Sequence, residues 1–92
     1  MAVFIVSYDL LKSGQNYAGL IREIKAIGDC CKPLESTWLI STHQTADQIS
    51  QRLLAKIDSN DHLLIIPVIA GYEGWLPQIY WDWLKQHGLQ AA

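Results

Sequence analysis

Hydrophobic residues along this chain form two kinds of pattern, short unbroken runs and runs with helical spacing. The first unbroken run covers residues 2–6 and is followed at once by Ser7, Tyr8 and Asp9. A short run rich in Val, Ile and Phe is typical of a strand buried on both faces, in the middle of a sheet. Because α/β folds present polar groups at the carboxyl ends of such strands, Asp9 is the first candidate for any chemistry.

A helical pattern follows this first strand. Apolar residues recur three and four positions apart from Tyr17 to Ile27, which predicts a helix with one apolar face. Ser13 or Asn16 is placed to cap its start. Gly28 is placed to end it as a left-handed cap.

Three further strand-like runs are present, at residues 29–34, 36–42 and 62–69. The Thr-x-x-Gln sequence at residues 45–48 has the form of a capping box and predicts the start of a second helix. The link between the second and third strands is too short for a crossover, so these strands should pair antiparallel. Pro33 and Pro67 cannot donate to a ladder, which favours edge positions for their strands.

The order strand, helix, strand, strand, helix, strand predicts a single α+β domain over residues 1–92. Each strand–helix–strand half should cross over right-handedly, and the ferredoxin-like βαββαβ fold with an antiparallel sheet satisfies this requirement. Its first and third strands are central. An added C-terminal helix is predicted within residues 75–88, with Pro77 in its first turn and Gly88 at its end.

The C-terminal segment is the densest aromatic part of the chain. The apolar face of its predicted helix consists of Leu76, Ile79, Tyr80, Trp83 and Leu84. Trp81 is predicted to point elsewhere. The cluster of Trp75, Trp81 and Trp83 suits either base stacking or a core lid or subunit interface. Stacking platforms lie in basic grooves and only Lys85 is nearby, so we expect Trp75 and Trp83, together with Trp38, in the core or an interface.

Composition narrows the classes of function. Half of the 92 residues are apolar and 17% are charged, so the chain is globular, and a domain this small should cover part of its apolar surface by forming a homodimer. The net charge of −2 and thinly spread basic residues disfavour nucleic acid as a partner.

No signal-peptide pattern or apolar run of membrane-spanning length is recognised. Adjacent Cys30 and Cys31 are typical of reduced thiols, so we expect a cytoplasmic protein.

Two short motifs carry a family resemblance. Val6-Ser7-Tyr8-Asp9-Leu10 at the end of the first strand, and Ser36-Thr37-Trp38, are similar to the CRISPR-associated protein 2 superfamily, which also includes virulence-associated protein D. The resemblance implies a ferredoxin-like homodimer that is either a metal-dependent nuclease or a non-catalytic structural subunit. It also implies that Asp9 is a metal ligand.

Two interpretations of Asp9 stay open. One Asp9 from each subunit could hold a magnesium ion that activates water for hydrolysis of RNA or DNA phosphodiesters, with Ser7 and Tyr8 positioning phosphate or water. Alternatively, Asp9 caps the following loop through backbone amides. His43 suits a general base or, more simply, an exposed loop residue. We expect a non-catalytic dimeric interaction module with a protein partner, and the metal-dependent endonuclease is the alternative.

Overall fold

The computed structural model describes residues 1–11 and 17–89. Its strands are β1 (Ala2–Asp9), β2 (Asp29–Leu34), β3 (Thr37–Thr42) and β4 (His62–Pro67). Its helices are α1 (Ala18–Ile27), α2 (Ala46–Leu54) and α3 (Gln78–Gln86). The strands form one sheet in the order β2-β3-β1-β4, and every neighbouring pair is antiparallel. The domain is therefore α+β with β1 and β3 in the centre, an arrangement compatible with a ferredoxin-like fold.

Helices α1 and α2 cover one face of the sheet. The buried residues of this layer are Phe4, Val6, Leu20, Ile24, Ile27, Trp38, Ile40, Ile49 and Leu53. Alternate residues of β1 and β3 point to this face, while three- and four-residue spacing places the helical residues opposite them. Trp38 lies in this core, and its indole N–H donates to the Tyr8 hydroxyl at 3.2 Å.

Helix α3 packs on the opposite face of the sheet, where buried Leu84 joins Val3 and Leu39. Trp81 and Trp83 both pack against this cluster, so the prediction that Trp81 points elsewhere is wrong. Residues 81 and 84 lie three apart on the inner side of the helix, and the Trp81 ring also stacks on Tyr72 at 5.9 Å. Helix α3 therefore forms a third layer, on the side of the sheet opposite α1 and α2.

The end of α1 corrects a second prediction. Gly28 is not a left-handed cap, because its φ of 178° and ψ of −170° describe extended backbone. A Cβ at Gly28 would lie 2.1 Å from the Ser41 carbonyl oxygen. Glycine is therefore needed for the close approach of this link to β3. The predicted caps Ser13 and Asn16 lie outside the described residues, and the N-cap position is taken by Tyr17.

The start of α2 and the end of α3 follow the sequence signals, whereas Pro77, predicted in the first turn of α3, is its N-cap residue. The predicted capping box is confirmed, since the Gln48 N–H donates to the Thr45 hydroxyl and the Thr45 N–H donates to the Gln48 side chain. Helix α3 ends in a left-handed Gly88 with φ of 84°. The Leu89 N–H then donates to the Leu84 carbonyl at 3.0 Å, as in a Schellman motif.

Across the described ranges 1–11 and 17–89, the helices are all too short or too polar to cross a bilayer.

Candidate functional site

The polar end of β1 lines a shallow cavity of about 230 Å³ between β1 and β4. Its walls are Ser7, Tyr8, Asp9, His62, Leu63 and Leu64. Asp9 and His62 are directly opposed across the β1–β4 pair, and both are exposed. Because cross-strand partners share a face of the sheet, the carboxylate and the imidazole lie on the same side. An Asp–His pair of this kind can hold a water molecule or transfer a proton.

Ser7 and Tyr8, the two predicted positioning residues, point to opposite faces of the sheet because they are neighbours on β1. Ser7 shares the face of Asp9, and its hydroxyl lies 3.1 Å from the Thr37 hydroxyl. Tyr8 points to the helical layer, where its hydroxyl already accepts the Trp38 indole N–H. The structure therefore brings together Ser7, Asp9 and His62, and it places the Tyr8 side chain in the opposite layer.

The metal-binding capacity of this site is limited to what one carboxylate supplies. Among residues 1–11 and 17–89, no group of three or more His, Cys, Asp or Glu side chains is close enough to hold a metal ion. Magnesium is usually held by one or two carboxylates together with water and substrate phosphates. Asp9 alone fits that minimum only if a second chain or a substrate completes the coordination.

The carboxylate with a full set of protein partners is Asp61, which is only 8% exposed. It accepts the backbone N–H of Leu11 at 2.9 Å and that of Asp58 at 2.8 Å. The Tyr17 hydroxyl lies 3.1 Å from both of its oxygens. Asp61 thus joins the end of β1, the start of α1 and the turn before β4. Its only sequence signal was a turn-like composition, so reasoning from the sequence missed it.

An apolar groove of about 250 Å³ runs between α3 and the sheet. Its floor and inner wall include Ile5, Leu39, Val68, Tyr72, Trp81 and Leu84. Trp75 also lines this groove, yet it is 98% exposed, so it lies at the mouth and not in the core of the protomer. Trp83 is half-buried against the sheet.

The apolar surface continues from the groove onto β4. Leu64 is 57% exposed and Ile66 is 44% exposed. Ile66 is the cross-strand partner of Ile5, which lines the groove, and Leu64 is the partner of Ser7. We call Ile5, Ser7, Leu64 and Ile66 the open face. Ile5 packs against the α3 cluster of Val3, Leu39 and Leu84, and the open face extends from it to the exposed residues Leu64 and Ile66.

His87 attaches the end of α3 to the start of β2. Its Nε2 lies 2.8 Å from the Asp29 carboxylate and its Nδ1 lies 2.7 Å from the Trp83 carbonyl. Both partners, a carbonyl and a carboxylate oxygen, are hydrogen-bond acceptors, so these two contacts hold the imidazole ring between α3 and β2. The ring also stacks on Trp83 at 3.9 Å. Sequence analysis gave His87 no role, because its acidic partner is 58 positions away.

The two cysteines are free, and they pack on opposite sides of β2 as neighbouring strand residues should. Burial raises the pKa of the Cys31 thiol to about 11, and the neighbouring Cys30 and Asp29 add to the effect. Burial is also the main cause that raises the pKa of Cys30. Thiolate is the reactive form, so neither side chain suits nucleophilic chemistry at neutral pH. His43, considered from the sequence as a general base or as an exposed loop residue, is exposed just after the end of β3.

No protein-family model matches the chain. No solved structure matches it significantly. The resemblance to the CRISPR-associated protein 2 superfamily therefore stays a prediction from two short motifs.

Proposed function

We propose that this protein is a non-catalytic interaction module that acts as a homodimer, with a ferredoxin-like fold similar to that of CRISPR-associated protein 2. The observation that supports the proposal is the exposed apolar surface of the open face and of Trp75. Contiguous apolar surface on a small domain marks a contact with a partner. The net charge of −2 favours protein over nucleic acid as that partner.

The free energy gained by burying the exposed apolar side chains can be compared with the free energy that a stable dimer requires. Fully burying a Leu or Ile side chain is worth about 1.5–3 kcal/mol, so covering the exposed half of Leu64 and Ile66 is worth ~1 kcal/mol each. Two copies then contribute ~4 kcal/mol, whereas a micromolar complex corresponds to about 8 kcal/mol. A stable dimer therefore needs further contacts, from Trp75 or from the backbone.

The proposal is tested by the mass in solution of wild type and two matched lysine variants. Leu64→Lys places a charge on the open face, whereas Leu54→Lys changes a residue of similar exposure, 54%, on α2. We expect wild type and Leu54→Lys to show twice the chain mass of 10.4 kDa by light scattering at micromolar concentration, and Leu64→Lys to show the chain mass. A wild type that is monomeric there would overturn the proposal.

A metal-dependent endonuclease is the second candidate, and one observation favours it. Asp9, His62 and Ser7 share one exposed cavity at the ends of β1 and β4. Asp9 would hold magnesium together with Asp9 of a second subunit, and His62 would lie beside the attacking water. The described residues that line this cavity in one protomer supply a single carboxylate, so this function requires a dimer that brings the two Asp9 side chains together.

Cleavage assays separate the two candidates. Wild type, Asp9→Asn and the control Asp82→Asn are incubated with single- and double-stranded RNA and DNA in Mg²⁺ or Mn²⁺. We expect no cleavage by any of them. Cleavage by wild type and the control that falls by orders of magnitude in Asp9→Asn would support the endonuclease. Equal cleavage by all three proteins would identify a contaminating nuclease.

A further inference from the structure

The two edges of the sheet differ in how they are protected against pairing with another chain. Outer strands of monomers usually carry charges, prolines or bulges that prevent such pairing. Strand β2 has all three: Lys32, Pro33 and a register irregularity between Cys31 and Leu34. Residues 63–66 of β4 are Leu-Leu-Ile-Ile, without a charge, and no described strand pairs with their outer side. The proline of β4, Pro67, is the last residue of the strand, so β4 is the less protected edge over residues 63–66.

The direction of each backbone group on β4 follows from one hydrogen bond. The Val68 N–H donates to the Val3 carbonyl at 2.8 Å, in continuation of the β1–β4 register. Bonded and non-bonded pairs alternate along an antiparallel pair, so the even-numbered residues of β4 bond to β1. The N–H and C=O groups of Leu63 and Ile65 therefore point outward. Pro67 directs only a carbonyl outward, because it has no N–H.

We propose that two copies of this chain join through the outer edges of β4, antiparallel about a two-fold axis, with Leu63 opposite the partner's Ile65. The inference rests on the homodimer proposed above and names its interface. In this register all outward N–H and C=O groups of Leu63 and Ile65 are paired, which gives four backbone hydrogen bonds. A register centred on Ile65 instead leaves each Leu63 carbonyl facing a proline that cannot donate.

The side chains of the open face fit this register. Leu64 lies opposite the partner's Leu64 in a non-hydrogen-bonded pair, where Cβ atoms are about 4.5–5.5 Å apart. Ile66 lies opposite the partner's His62, so no charged side chain meets a like charge. An antiparallel strand that pairs with its own copy makes an isologous contact and closes as a dimer. The protected β2 edge at the far side of each sheet prevents further growth.

The same geometry decides between the two candidate functions. Asp9 on β1 is paired with His62 on β4, so the two Asp9 residues of the dimer lie three strand spacings apart laterally and four residues apart along the strands. At ~4.8 Å per strand and ~3.4 Å per residue, this separation is about 20 Å. Magnesium binds its ligands at about 2.0–2.1 Å, so one ion cannot bridge the two carboxylates. The β4 dimer therefore excludes a shared magnesium site.

Cysteine cross-linking tests the register. Leu64→Cys should form a covalent dimer under mild oxidation, because its two copies face each other across the axis. Ile66→Cys alone should not, since its copies lie about 14 Å apart by the same spacings. An equimolar mixture of Ile66→Cys and His62→Cys should cross-link again. Wild type is the control for its two native thiols.

The outcomes separate the interface from the dimer itself. A monomeric wild type by light scattering would overturn both the proposed function and this inference. A dimeric wild type without cross-linking of Leu64→Cys, or with self-cross-linking of Ile66→Cys, would overturn only the β4 register. Leu64 and Ile66 are about half exposed and lie outside the buried core, so both cysteine variants should fold, which circular dichroism checks.

Discussion

Replacing Asp61 with alanine should destabilise the protein more than any other single change of an acidic residue in its described part. The carboxylate accepts the N–H groups of Leu11 and Asp58 and the Tyr17 hydroxyl, all within 3.1 Å. Hydrogen bonds to charged groups contribute about 1.5–3 kcal/mol each, but bonds in one network do not add fully. We therefore expect a loss of ~3–5 kcal/mol, of a total stability of roughly 5–14 kcal/mol for 92 residues.

Asp61→Asn should cost less, about 1–3 kcal/mol, because its remaining oxygen still accepts while its NH₂ group faces a donor. Both variants are measured by urea unfolding with tryptophan fluorescence, at one protein concentration because a dimer's stability depends on it. Asp82→Ala is the control, since this exposed residue accepts a hydrogen bond from the Gln78 amide on α3 and should change stability by less than ~0.5 kcal/mol. An unchanged midpoint for Asp61→Ala would refute the structural role assigned to it.

Gly28→Ala should lower the melting temperature, because its Cβ would lie 2.1 Å from the Ser41 carbonyl oxygen. Gly19→Ala on α1 has open space around the new Cβ and should raise the melting temperature, since alanine stabilises a helix by about 0.5–1 kcal/mol over glycine. Equal shifts of the two melting temperatures would contradict the close approach at Gly28. Leu84→Ala should cost ~2–4 kcal/mol and Ile79→Ala, which is 68% exposed, less than ~0.5 kcal/mol in urea unfolding. Equal costs would show that α3 is not docked as described. Cys31 should react with iodoacetamide roughly a hundredfold more slowly than an exposed thiol at pH 8, since its raised pKa of about 11 keeps it protonated, and peptide mass mapping measures this.

The layer formed by α1, α2 and one face of the sheet could be predicted from the sequence, because its signals are local. Spacing alone places Leu20 and Ile24 on one side of a helix, and the short link before Thr37 requires an antiparallel pair. Both prolines lie on outer strands, as the missing N–H demands.

The placement of α3 could not be predicted in the same way. Its spacing shows that one side is apolar, but it does not say which face of the sheet receives that side. The docking depends on long-range contacts, such as Leu84 with Val3 and His87 with Asp29. The structural importance of Asp61 has the same cause, because one of its partners, Leu11, is 50 positions away.

The candidate site was only partly visible in the sequence. The end of β1 could be located, since polar residues after a buried strand are a local signal. His62 could not be paired with Asp9 without the β1–β4 register, which depends on residues 53 positions apart. The open face likewise depends on where α3 docks, because the helix packs over Val3 and Leu39 and leaves Leu64 and Ile66 exposed.

Amide hydrogen exchange of β4, followed by NMR, is the most direct test of the proposed dimer. The N–H groups of residues 64 and 66 face β1. They should therefore be protected from exchange both in wild type and in the Leu64→Lys variant, which we expect to be monomeric. The outward N–H groups of Leu63 and Ile65 should be protected in wild type and should lose that protection in Leu64→Lys. Fast exchange of Leu63 and Ile65 in wild type at a concentration where light scattering shows twice the chain mass would contradict the β4 interface.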